Sequence, residues 1–129
     1  MRQTVFDLVT GDAELTSMIG RNSWFQGGSI TEVPERPFVV IRLSGVFPGI
    51  GSTNKVRVEF RVHDERGSFT IIDNVVRRIR EVLGEAEQIR GEQGWLICAT
   101  WLSDSPDLFD DGFRTNMRST AYDLTGQGM

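Results

Sequence analysis

The stretch KVRVEFRVHDERGSFTIIDNVVRRIREVL, residues 55–83, decides the fold of this chain. Over residues 55–63 apolar and polar side chains alternate, which is the period of a strand that is buried on one face. After a break at residues 64–67, apolar residues recur at steps of three and four, which is the period of a helix. The sequence therefore predicts a strand, with Val58 and Phe60 in the core, followed by a helix over residues 69–83.

The apolar face of the predicted helix is wide. Its apolar side chains span about 160°, against about 100° for a helix that covers a single layer. The extra width requires a second contact, either with the first helix of the chain or with a neighbouring subunit. We expect the first helix to supply it.

The remaining segments complete an α+β pattern. Apolar residues before Gly11 and a candidate N-cap at Asp12 predict two short helices ahead of Gly20. Three further strands are predicted, at residues 38–43, 95–102 and 113–124. Loops are predicted at residues 21–36, 44–54, 85–94 and 104–112, and a loose tail at 125–129. We therefore expect a single domain with a mostly antiparallel four-stranded sheet and two main helices, in the order α-β-β-α-β-β. The strand at 38–43 is apolar almost throughout, so we expect both of its faces to be covered.

Length and composition are those of an ordinary globular domain. The 129 residues suit one domain, and the hydrophobic and charged contents of 39% and 25% are typical. The formal net charge of −4 argues against a nucleic-acid-binding protein, which normally carries a basic stripe. Lys55 is the only lysine beside thirteen arginines. That bias fits ordered interfaces, where arginine pairs well with carboxylates, and equally fits a GC-rich coding sequence.

The cysteine content and the apolar segments of the sequence indicate where in the cell the chain is expected. Cys98 is the only cysteine, so an internal disulfide is excluded and a reducing compartment, the host cytoplasm, is expected. The first residues form no apolar run of signal-peptide length. The sequence has no apolar stretch approaching about 18 residues, so we expect no membrane span.

Little in the sequence points to catalysis. His63 is the only histidine, and its place on the polar side of a strand predicts an exposed residue rather than a general base. Cys98 lies within an apolar strand and is interpreted as a small buried filler rather than a reactive thiol. We expect no enzymatic activity, no cofactor and no dedicated metal site.

Two loops invite a ligand interpretation that their residues do not support. The acidic loop at 104–112 fails as an EF-hand, because Phe109 stands at position three, where a carboxylate or amide ligand is needed, and no Glu closes the loop. An adventitious cation site stays an alternative there. The segment Gly45–Gly51 lacks the Gly-Lys-Ser/Thr of a phosphate-binding loop, and Pro48 removes a backbone donor. A mobile arm is the preferred interpretation.

The aromatic residues divide into two groups. Trp95 and Trp101 share a predicted strand face with apolar residues, so core packing is expected for them. Trp24 and Phe25 lie in a predicted loop and are better candidates for an interface.

With its elements in this order, the chain resembles the tail terminator (tail completion) proteins of long, non-contractile-tailed bacteriophages. Four segments carry the resemblance: DAELT with IGR (12–16 and 19–21), RPFVV (36–40), VRVEFRV (56–62) and DLFDDGFR (107–114). Two features depart from the family. Trp24-Phe25 stands where a tyrosine-proline pair is common, and the last strand lacks a strong apolar alternation, which leaves its register open.

The resemblance implies a structural virion protein at the junction of tail and neck. Such a protein forms a ring, usually a hexamer, that caps the tail tube, ends its elongation and forms the docking surface for the head. Its partners would be other copies of itself, the tail tube protein and a neck protein. The genome DNA would pass through the lumen without specific binding.

The resemblance also suggests where contacts are made. Aromatic residues of the arm and the loop would touch the tube or other subunits, namely Trp24, Phe25 and Phe47. A polar strand face would supply salt bridges between subunits through Arg57, Glu59 and Arg61. Two alternatives remain open. One is another neck component, such as a head-closure or head–tail joining protein, and the other is a small α+β ligand-binding or enzyme domain.

Overall fold

The chain forms one mixed sheet with helices packed on one face. The computed structural model describes residues 2–27, 30, 32–48, 53–85, 89–91 and 94–127. Its elements are α1 (Arg2–Thr10), α2 (Ala13–Met18), β1 (Trp24–Gln26), β2 (Phe38–Pro48), β3 (Thr53–Asp64), α3 (Thr70–Gly84), β4 (Ile89–Gly91), β5 (Gly94–Asp104), β6 (Leu108–Asp110) and β7 (Thr115–Gln127). A 3-10 turn at Arg21–Ser23 precedes β1.

Strand β7 is the centre of the sheet. The strand order is β1-β2-β3-β7-β5-β4, and β6 pairs with β7 beside that path. One side of β7 is paired with β3 from Asn116 to Gln127, and its other side is shared by β6 and β5. Only β1 and β2 are parallel, and every other described pair is antiparallel. These pairings fix the register of the last strand, which the sequence left open.

The core lies between the sheet and the three helices. Val58, Phe60 and Val62 are fully buried on the inner face of β3, as the alternation predicts. They belong to one cluster with the apolar face of α3. Val5, Val9 and Leu15 of the first two helices join the same cluster, so the wide apolar arc of α3 meets the N-terminal helices, as expected.

A capped turn joins α2 to α3. The Asp12 carboxylate accepts a hydrogen bond from the Leu15 N–H at 3.0 Å, which confirms Asp12 as the N-cap of α2. The same carboxylate takes two hydrogen bonds from the Arg78 guanidinium, at 3.0 and 2.8 Å. This pairing holds the pKa of Asp12 below its usual value. Glu14 and Glu81 also lie within 3.0 Å of that guanidinium, so Arg78 ties the short helix to the long one.

The prediction of a four-stranded sheet found the long strands but missed three short ones. The long strands β2, β3, β5 and β7 match the predicted ones, but β1, β4 and β6 lie in segments predicted as loops. Strands of three residues show no readable period, because they form through pairing with a long neighbour. The predicted loop at 21–36 therefore contains a turn and a strand.

The predicted arm and tail are also shorter than expected. Pairing of β2 with β3 continues to Pro48 and Asn54, so most of the predicted connection at 44–54 is strand. Its residues 49–52 lie outside the described residues. A bulge interrupts β2 at Gly45, whose φ of 65° suits a residue without a Cβ. Strand β7 continues to Gln127, so the loose tail predicted at 125–129 is largely strand as well.

Candidate assembly surface

The outer face of the sheet, opposite the helices, carries the charged residues predicted for contacts. Cross-strand pairing sets Arg57 beside Ser44 and Asp123, and Glu59 beside Arg42 and Ala121. The side chains of Arg57, Glu59 and Arg61 are 49%, 33% and 36% exposed. They therefore lie on an open, polar sheet face that a partner can reach.

Within one chain these charges are already paired. Arg57 Nε lies 3.1 Å from Asp123 Oδ1, and Arg61 Nε lies 2.6 Å from Glu59 Oε1. Exposed pairs of this kind contribute little to stability, typically about 0–1 kcal/mol. Each pair is neutral in itself, so a partner with complementary charges can exchange pairs at small cost.

One end of the outer face is covered, and His63 lies beneath the cover. His63 is 1% exposed. Its ring stacks on Phe38 at 4.6 Å, and Phe113 meets it edge-on at 5.3 Å. The prediction of an exposed histidine is therefore wrong. The alternation placed His63 on the correct face, but the segment around Phe113 folds over that face from fifty residues further along the chain.

The burial of His63 sets its protonation state. Burial lowers the pKa of its imidazole to about 4, opposed in part by the Asp110 carboxylate, which raises it, and aided by Arg61, which lowers it. The ring is therefore neutral at pH 7. Nδ1 lies 2.8 Å from Thr115 Oγ1, and Nε2 has no hydrogen-bond partner among the described residues. A histidine enclosed in this way does not meet a substrate as a general base.

A shallow cleft of about 270 Å³ opens beside this covered end. Its walls include Val40, Arg42, Arg61 and Asp110, with His63 beneath. Charges of both signs lie in a wall whose larger part is apolar. Because the cleft is shallow and open rather than enclosed, it suits a contact with another macromolecule better than a small ligand.

The predicted interface aromatics lie in different surroundings. Trp24 is 3% exposed, and its indole N–H donates to the Ile19 carbonyl at 2.9 Å. That burial leaves Trp24 no surface for a partner, so it is omitted from the surface proposed below. Phe25 is half-buried, with its ring edge-on to Phe38 at 6.3 Å. The side chain of Phe47 lies outside the described residues.

A second surface feature lies where β5 passes α3. Trp101 is 46% exposed and lies under the Arg80 guanidinium, 4.3 Å from the ring centroid. The expectation that Trp101 is a core residue is therefore wrong. Pairing with the buried Tyr122 places Trp101 on the inner face, as the alternation predicts, but at this margin of the sheet the ring faces Arg80 of α3 and stays exposed. The side chain of Trp95 lies outside the described residues.

Asp104 organises the polar groups around this tryptophan. Burial raises the pKa of its carboxyl, but hydrogen bonds from Thr120, Trp101 and Arg80 outweigh burial and hold the pKa below its usual value. The Thr120 hydroxyl donates at 2.6 Å and the Trp101 indole at 3.0 Å. The exposed ring of Trp101 is thus held at the margin of the sheet by a hydrogen bond to Asp104 and by contact with Arg80.

The acidic loop presents apolar residues that the sequence analysis did not single out. Leu108 and Phe109 are each 40% exposed on β6, and the Arg66 guanidinium lies 4.7 Å from the Phe109 ring centroid. In the sequence, the two apolar residues between Asp107 and Asp110 are the feature that could have predicted this exposed apolar pair. Among the described residues, no group of three or more His, Cys, Asp or Glu side chains is arranged to hold a metal ion. Cys98 is half-buried.

In the part of the chain that the structure describes, none of the helices is both long and apolar enough to span a membrane.

Comparison with known proteins gives a likeness of fold. No protein-family model and no curated protein matches the sequence. The fold is similar to a chain in a solved structure described as the virion of a native gene transfer agent particle, with a TM-score of 0.75 and 12% sequence identity. The superposition covers 99% of this chain and 95% of that one. At this identity the likeness establishes the shared fold, over essentially the whole of both chains.

Proposed function

We propose that this chain is a structural virion protein, a tail terminator that caps the phage tail tube as a ring. The observation that carries the proposal is the likeness of fold, over 99% of the chain, to a component of a gene transfer agent virion. The four segments that resemble tail terminators point to the same class of protein. In this role the ring ends tail elongation and presents the docking surface for the head.

The geometry of the chain supports a role in assembly. Its one histidine is buried and neutral, while its exposed features include an open polar sheet face and the ring of Trp101. The net charge of −4 suits a lumen through which DNA slides, because a strongly basic lumen would retain the phosphate backbone. The partners in this proposal are other copies, six per ring as is usual in that family, the tail tube protein and a neck protein.

The decisive experiment removes the protein from the particle. A suppressible stop at the Trp24 codon of the parent genome is introduced, and the lysate is imaged by electron microscopy with and without suppression. Filled heads beside overlong, unattached tails are the expected result. Tails of normal length with unattached heads would assign the chain to another neck component, which the same likeness of fold supports. Intact infectious particles without suppression would remove the virion role.

The outer face is the proposed site of charged contacts between subunits, through Arg57, Glu59 and Arg61, with Phe25 at its margin. Arg57→Glu should weaken assembly in a salt-sensitive way, but it also breaks the Arg57–Asp123 pair inside the chain. The double variant Arg57→Glu/Asp123→Arg restores that internal pair in reversed order. If assembly is lost in the single variant and fully recovered in the double variant, the charge acts within the chain and the proposed contact is wrong.

A further inference from the structure

Two margins of the sheet have backbone edges that the described part of the chain does not pair. On one side, β4 pairs with β5 only at Gly94–Leu96, and no described residue pairs with the outer edge of β5 from Cys98 to Asp104. On the other side, β1 pairs with β2 only at Val39–Ile41, and no described residue pairs with the outer edge of β2 from Leu43 to Pro48. Such an edge presents unpaired N–H and C=O groups and is a template for another strand.

Apart from Asp104 at the end of β5, neither edge has the charges by which proteins usually prevent this pairing. Residues 98–103 read CATWLS and residues 43–48 read LSGVFP, with no charged side chain in either run. On β5, Trp101 and Leu102 are 46% and 37% exposed. Edges that face solvent permanently are normally blocked by charged residues, proline or bulges. Here Pro48 stands only at the very end of one edge, and the bulges of β5 leave a regular run at Cys98–Trp101. Both sequences are therefore typical of edges that a partner covers.

The two open edges span the same rows of paired residues in the sheet. Pairing through β3 and β7 places Leu43 in one row with Trp101, and Ser44 in one row with Thr100. The same pairing places Phe47 in one row with Cys98. Three successive antiparallel pairings also make β2 and β5 run in opposite directions. A second copy in the same orientation can thus set its β2 antiparallel beside β5 without any shift along the strands.

We infer that copies of this chain join head to tail, the β5 edge of one copy pairing with the β2 edge of the next. A contact of this kind uses both margins of every copy and leaves no open edge once a ring closes, whereas pairing of two identical edges leaves the other edge free. Both margins carry bulges, one at Gly45 and two in β5, and bulges are the device that bends a sheet towards closure. This inference rests on the ring of the proposed function and specifies how its subunits are joined.

Cysteine cross-linking tests the pairing directly. In a Cys98→Ser background, Ser44→Cys and Thr100→Cys are combined, since both positions are exposed and lie in one row. Within one chain the two sites are three strands apart, about 14 Å, which is too far for a disulfide. Mild oxidation of the concentrated protein, and of particles assembled with this variant, should give a ladder of covalent trimers and larger species that ends at the closed ring.

The control variant pairs Thr100→Cys with Ser17→Cys, an exposed position on α2, and should give no ladder. All variants are first checked for an unchanged melting temperature. Dimers from Thr100→Cys alone, cross-links to a different protein, or no cross-links in either sample would each overturn the head-to-tail pairing. Because the stop-codon experiment reports the role in the tail independently, overlong tails without a ladder would reject only the pairing. A ladder without overlong tails would reject only the terminator role.

Discussion

The two faces of strand β3 come from one alternating sequence but lie in different surroundings. On the inner face the exposure of its four apolar side chains is 5% for Val56 and 0% for Val58, Phe60 and Val62. On the outer face Arg57 is half-exposed, whereas His63 is as buried as the core. The alternation decides which face a side chain lies on. Whether that face is exposed to solvent is decided by segments that are distant in sequence.

The largest effect is expected on the inner face. Val58→Asp places a carboxylate in the apolar cluster of the core, and burial of an unpaired charge costs more than the whole stability of many domains. We expect the variant to be unfolded at 25 °C, as seen by loss of a cooperative melting transition in circular dichroism.

The matched control is Thr125→Asp, the same type of change on the outer face in the row of Lys55. Thr125 is only half-buried, so we expect a change in the free energy of unfolding below about 1 kcal/mol. If Val58→Asp melts like the wild type while Thr125→Asp unfolds, the assignment of the two faces is reversed.

The covered end of the outer face should make stability depend on pH. His63 has a pKa of about 4 in the folded chain and about 6.5 when unfolded, so below pH 6.5 the unfolded state binds a proton that the folded state excludes. Stability is therefore fully present above pH 6.5 and falls as the pH is lowered towards 4. The lost free energy of unfolding is about 3 kcal/mol, at 1.36 kcal/mol per pKa unit.

Urea unfolding between pH 7 and 4 measures this loss, and His63→Phe isolates it. The variant keeps a ring to stack on Phe38, while carboxylates such as Asp104 titrate in both proteins. We expect the wild type to lose about 3 kcal/mol more than the variant over this range. Equal losses in both proteins would mean that the histidine takes up its proton without unfolding, and that the cover over it is open.

The same contrast shows how far the sequence could predict this fold. Period two over residues 55–63 and the helical period that follows predicted β3 and α3, because each element buries one face against a continuous core. Asp12 was predictable as an N-cap, since capping is a local interaction.

The parts that were not predictable depend on contacts between distant segments. The cover over His63 comes from Phe113, and no feature of residues 55–63 reports it. Strand β1 exists because Trp24 and Phe25 pair with Val39 and Val40, so its residues read as a loop. For the candidate site, the charged outer face could be predicted from alternation alone. The exposure of Trp101 could not, because its period places it on the inner face, and its exposure depends on how far the distant helix α3 covers that end of β5.

A smaller change in the free energy of unfolding is expected for the Asp12–Arg78 ion pair, which is more shielded from solvent than the pair on the outer face. The Asp12–Arg78 side chains are 16% and 25% exposed, and Asp12 also caps α2. We expect Asp12→Ala to lower the free energy of unfolding by about 1–2 kcal/mol, most of it from the lost cap. Asp12→Asn keeps an acceptor for the Leu15 N–H and should lose less than Asp12→Ala. If urea titrations show that both variants lose the same free energy of unfolding, the charge of Asp12, rather than its role as a cap, stabilises the chain.

The smallest effect is expected for the open pair on the outer face. Arg57 and Asp123 are 49% and 30% exposed, so solvent screens their attraction, and Arg57→Gln should change the free energy of unfolding by less than about 1 kcal/mol. The measurement is a double-mutant cycle with Asp123→Asn, in 50 mM and 500 mM salt. A coupling well above 1 kcal/mol that persists at high salt would show that this part of the face is shielded like the end over His63. A weak, salt-sensitive coupling leaves both charges free to pair with a neighbouring subunit, because exchanging the internal pair then costs the chain almost nothing.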